Sequence, residues 1–131
     1  MPSPPNVRVL VVCATVLQDL GTGRITLESL LEVLYSPEFP AAHAGLVVYA
    51  RMSGLNGEYG MSVRVTAPDL ETSVADVEAP APLVVTDPLE TVNVVFPLPE
   101  LDFPVAGRYS VRLLYNGRIA QEIPLLAEEG T

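Results

Sequence analysis

Cys13 and His43 are each the sole residue of their kind in this chain, and they form the one pair able to act as nucleophile and base. A catalytic cysteine works as its thiolate, held at low pKa in a polar, partly exposed setting. Cys13 instead lies within "VRVLVVCATVL", where a thiol behaves as a small inert hydrophobe, and His43 follows "FPAA" at a loop end. The expectation is a buried cysteine, a surface histidine and no Cys-dependent enzyme. Two such residues are too few for a zinc site. No G-x-S-x-G, H-E-x-x-H or glycine-rich nucleotide fingerprint occurs. All seven basic residues are arginine, which removes phosphate-loop and Schiff-base lysines from consideration.

The acids are the distinctive cluster. From Val65 to Gly107 there is no basic residue, while Asp69, Glu71, Asp76, Glu78, Asp87, Glu90, Glu100 and Asp102 all occur. If loops 68–71 and 87–90 met, Asp69, Glu71, Asp87 and Glu90 would be candidate Ca²⁺ ligands, since that ion takes about six to eight oxygens. No D-x-D-x-D spacing supports this, and acids scattered through Pro-rich loops ordinarily keep a domain soluble. No metal or other cofactor is therefore assigned. Paired carboxylates for glycoside hydrolysis need a cleft with aromatic platforms, and the chain has no Trp. The net charge of −9 disfavours nucleic acid and anionic membrane surfaces as partners. Arg51, Arg64, Arg108 and Arg112 point outward on expected strands. They are either isolated surface charges or a basic stripe able to meet the acidic block of another copy.

The elements that position these residues follow from alternation. A chain of 131 residues, Val-rich with thirteen Pro and nine Gly, suits many short strands around one core. The run 7–17 is apolar on both faces, as in a strand interior to a packed sheet. It lacks a basic leader and is too short to span a bilayer, which takes about 20 residues. In 43–53, Ala44, Leu46, Val48, Ala50 and Met52 share a face. In 59–67, Tyr59, Met61, Val63 and Val65 do. With "GLNG" between them, these two runs predict a β-hairpin. Val92, Val94, Phe96 and Leu98 face inward on 90–98, and 72–78 has the charged, Pro-flanked look of an edge strand. The segment 25–36 fits a helix through Leu27, Leu30, Leu31 and Leu34. It also fits a strand through Ile25, Leu27, Leu31, Val33 and Tyr35, with Ser29 the misfit; the strand is preferred.

Near the C-terminus, Tyr109, Val111, Leu113 and Tyr115 share one face, and Ile119, Ile123 and Leu125 the facing one. A two-residue turn at Asn116–Gly117 would set Glu122 beside Val111. A three-residue 115–117 loop with a bulge keeps the apolar faces together and is expected. Leu114 and Leu126 then stand outward as apolar surface.

The residues Cys13, Gly23, Arg24, Gly107, Tyr109, Asn116 and Gly117, with "P-x-x-G-x-Y" and an "NG" turn, resemble a bacterial family of small β-sandwich proteins of unknown function. The resemblance implies strand at 25–36 and no activity. The expected architecture is all-β: one antiparallel β-sandwich of seven or eight strands (Ig-like or C2-like) over 7–127, with one short helix at 25–36 as the variant. Residues 1–6 and 128–131 are expected as tails. The expected function is a non-catalytic, cytoplasmic protein-binding or structural module, its partner a protein or another copy. The alternative is a small-ligand or Ca²⁺ module.

Overall fold

The computed structural model describes residues 2–130. Among them every regular element is a strand: β1 (Asn6–Gln18), β2 (Ile25–Leu31), β3 (Val33–Ser36), β4 (Ala41–His43), β5 (Val47–Ser53), β6 (Gly57–Tyr59), β7 (Met61–Thr66), β8 (Ser73–Glu78), β9 (Leu83–Val85), β10 (Val92–Pro97), β11 (Leu101–Phe103), β12 (Gly107–Tyr115) and β13 (Arg118–Glu129). They form a four-stranded sheet ordered β10-β5-β1-β2, a five-stranded sheet ordered β3-β13-β12-β7-β8, and the small pairs β11-β4 and β6-β9. The fold is all-β, as the composition implies. It is not the single antiparallel sandwich of seven or eight strands: short strands change sheets, and β3 runs parallel to β13. Among the described residues no helix is long and apolar enough to cross a membrane.

The inward alternations of β5, β7 and β12 hold. Val48, Ala50 and Met52 of β5 meet Met61, Val63 and Val65 of β7 and Tyr109, Val111 and Leu113 of β12 in one core cluster. β8 is an edge strand, and β1 lies between β5 and β2.

Partners of strands differ more. β5 and β7 do not form a hairpin; they lie in different sheets. The reason is Leu55, fully buried in the supposed "GLNG" turn, which draws the chain through the core. Tyr59 then anchors the crossing: its hydroxyl donates to the Ser3 carbonyl (2.6 Å) and accepts from Asn56 N–H (2.9 Å). That bond places the segment expected as an N-terminal tail against the body. At the other end β13 continues through Glu129, two residues into the expected C-terminal tail. Met1 and Thr131 fall outside the described residues.

Segment 25–36 holds two strands and no helix. Chain direction and sheet change at Glu32, whose carbonyl accepts from Leu126 N–H. Alternation resets there, so Leu34 is buried while Tyr35, expected inward, is exposed. Ala44, also expected inward, is exposed just before β5. Ser29, the misfit of the strand pattern, has φ 57°, an uncommon value for a residue with a side chain.

The last hairpin closes through a two-residue turn, not the three-residue loop. Asn116 (φ 48°) and Gly117 (φ 80°) both take left-handed values, the geometry that matches strand twist. Tyr115 pairs with Arg118 and Leu114 with Ile119, and a bulge then shifts the register so that Val111 meets Ile123 and Tyr109 meets Leu125. The expected bulge exists, moved into the strand. Its consequence is that Ile119, expected inward, is exposed. Asn116 was placed by its neighbours as well as its turn: its Oδ1 accepts from Gly60 N–H (2.7 Å) and its amide donates to the Glu58 carbonyl (3.3 Å). Asn116→Ala should cost about 1–3 kcal/mol by chemical denaturation, combining left-handed strain with lost hydrogen bonds.

Candidate functional site

Cys13 is fully buried where β1 pairs with both Val47 and Leu30. Burial pushes its thiol above the ordinary value, partly offset by a backbone hydrogen bond from Thr15. His43 lies on β4, packed edge-on against Phe103 at 5.6 Å. The two are not hydrogen-bonded to each other, so no nucleophile–base pair is assembled. Iodoacetamide should modify Cys13 far more slowly in the native protein than in denaturant, as followed by intact mass. A thiol with raised folded-state pKa favours folding while protonated. That contribution is complete below about pH 8.5, the unfolded value, and declines as pH rises beyond it.

The candidate acids are not brought together. Asp69 caps its own turn, its carboxylate accepting from Glu71 N–H, Thr72 N–H and the Thr72 hydroxyl. These bonds, the Thr72 hydroxyl first, hold its pKa below the usual range. Asp87 does the same for Leu89 N–H, in a loop tied to Gly54 through the Pro88 carbonyl. That loop is tied to the segment just after β5, whereas the Asp69 turn follows β7. Glu71 and Glu90 are exposed in these loops. Among the described residues no group of three His, Cys, Asp or Glu side chains is placed to hold a metal ion.

The arginines form no basic stripe. Arg51 is in the four-stranded sheet, while Arg64 and Arg112 are register partners on β7 and β12. Each of these two binds an acid on its far side: Arg64 to Asp76 at 3.0 Å and Arg112 to Glu122 at 2.6 Å. The outward row across β8, β7, β12 and β13 therefore reads acid, Arg, Arg, acid and is self-neutralised. Cross-strand pairing decided this; Glu122 faces Arg112 because the bulge restores the register. In the adjoining row, Ser110 and Thr66 face each other with buried hydroxyls that lack partners. Thr66→Val should leave stability unchanged or raise it by about 1 kcal/mol in a urea melt, since it removes an unsatisfied polar atom at constant shape. Leu114, expected as exposed surface, is buried outside the core cluster. It lines an open trough of about 450 Å³ with Pro80, Pro82 and Arg64.

The feature that alternation did not reveal is a projecting arm. β1 pairs with β5 only as far as Cys13–Val47; beyond it, residues to Gln18 pair with β2 alone, back to Ile25. Val16, Ile25 and Leu27 lie on the face that upstream enters the core, yet none of them reaches it. On the other face Leu17 is 48% and Leu30 59% exposed, and Leu20 at the tip is 96% exposed. Asp19 shapes that tip by accepting from Gly21 N–H (2.8 Å), and its own N–H donates to the Arg24 carbonyl. At the arm's base a cavity of about 320 Å³ is lined by Leu10, Val12, Leu30, Leu31, Ile123 and Leu126. The available sequence signal was the length of the first apolar run against the shorter runs facing it.

Residues 8–128 match the model of a family of unknown function, DUF6941, and the chain belongs to that family. No curated protein matches it.

Proposed function

We propose that this DUF6941 member is a non-catalytic interaction module that engages a protein partner through the β1–β2 arm. The observation that carries the reading is the arm itself. A two-stranded ribbon is marginally stable alone in water, and this one presents apolar side chains on both faces with no second layer over them. Exposed apolar side chains on an uncovered ribbon of this kind typically mark a contact site. The buried Cys13 thiol and the dispersed acids are in keeping with a binding role rather than a catalytic one.

The test compares the wild-type protein with a Leu17→Ser/Leu20→Ser variant. Both positions are exposed, so the variant is expected to keep its melting temperature. Stoichiometric protein partners recovered by the tagged wild type should be lost with the variant. Equal recovery by both of a protein partner other than this chain itself would overturn the assignment of the arm.

A further inference from the structure

We propose that the arm's partner is a second copy of this chain, β2 pairing antiparallel with the partner's β2 about a twofold axis at Thr26. This deepens the interaction reading above and rests on it. The sheet order leaves β2 with one hydrogen-bonded neighbour, β1, and an open far edge. Asp19 N–H donates to the Arg24 carbonyl directly across the ribbon. By antiparallel alternation, the even residues of this stretch turn their backbone groups to β1 and the odd ones, Ile25 and Leu27, turn theirs to the open edge.

A twofold axis at Thr26 uses those free groups. Ile25 then exchanges backbone hydrogen bonds with the partner's Leu27, and Leu27 with the partner's Ile25, on the half-buried apolar face. On the other face Arg24 stands opposite the partner's Glu28, and Glu28 opposite the partner's Arg24. Among the described residues neither makes an ion pair within its own chain. Thus one register satisfies backbone, apolar and charged groups together, as an isologous contact requires. Charge also selects the place. The chain as a whole carries −9, yet between residues 14 and 31 the only charges are Asp19, Arg24 and Glu28. Copies meeting through the block from Val65 to Gly107, which has eight acids and no basic residue, would bring like charges together; copies meeting here do not. Ser29, with φ 57°, ends the regular edge just after Glu28 and limits the pairing to this short stretch. Such a small contact gives a transient, concentration-dependent dimer.

Sedimentation velocity over a wide concentration range tests this. The wild type should shift from monomer to dimer as concentration rises. Arg24→Glu and Glu28→Arg should each weaken dimerisation by about tenfold or more, because two attractive pairs become repulsive. The double variant Arg24→Glu/Glu28→Arg should restore it. Thr26→Cys should form an intermolecular disulfide on mild oxidation much faster than Thr22→Cys, since only position 26 meets itself across the axis. A protein that stays monomeric at all concentrations overturns the proposal, as does a dimer indifferent to the charge swap or equal cross-linking at positions 22 and 26. A monomer that still loses a different partner on Leu17→Ser/Leu20→Ser overturns self-pairing while the arm's binding role stands.

Discussion

Gly107→Ala should lower unfolding free energy by about 3 kcal/mol or more, from two separable causes. Gly107 opens β12 with φ 151°, a conformation that side chains rarely adopt. A Cβ built there would also lie 2.7 Å from Pro68 Cγ and 3.3 Å from Pro68 Cβ, inside the ring of a stiff residue that cannot swing away. For a domain of this length the loss should appear as a fall in melting temperature of about 10 °C. Pro68→Ala removes the closer of the two atoms. In the Gly107→Ala background it should recover part of the loss but not all, because the backbone strain remains. Full recovery would show that the backbone conformation costs nothing, and no loss in the single variant would refute both causes.

Phe103→Ala should cost about 3–5 kcal/mol. Phe103 is fully buried on β11, its ring edge-on to Tyr109 at 4.9 Å and to His43 at 5.6 Å. Truncation therefore removes its burial, leaves a cavity and breaks both aromatic contacts. It also removes the packing on Tyr109, whose hydroxyl donates to the Val105 carbonyl at 2.7 Å and holds the turn before β12. Phe103→Leu keeps most of the volume and should cost less than half as much in the same urea titration. Equal costs for the two substitutions would mean that shape, rather than volume, dominates at this position.

These two positions show what local pattern can disclose. Tyr109, Val111 and Leu113 were legible as inward residues because a strand alternates faces wherever it lies. Gly107 and Tyr109 were legible as a motif, and the reason for it is now visible in the contact with Pro68 and the bond to Val105. Alternation carries no information about which strand lies alongside. Thus β5 and β7 read as a hairpin although a buried Leu55 sends them to different sheets, and Arg64 and Arg112 read as isolated charges or a basic stripe although each pairs with an acid.

The candidate site was less legible than the fold. Cys13 was readable as buried from its apolar neighbours alone. The separation of Asp69 from Asp87 depended on loops whose positions are set by long-range contacts. The arm depended on one quantity that a sequence does not carry, the point along β1 at which β5 stops pairing.

The amino-acid order by itself determined that the protein is all-β, the inward faces of β5, β7 and β12, the presence of a turn at Asn116–Gly117, and the net charge of −9. All of these rest on interactions between residues close in the chain or on composition. Only the tertiary structure decided the sheet to which each strand belongs, the reset of alternation at Glu32, the neutralised row of Arg64 and Arg112, and the apolar arm left uncovered beyond Cys13. Those outcomes come from pairing between distant segments, where burial of the whole core overrides what any single stretch prefers.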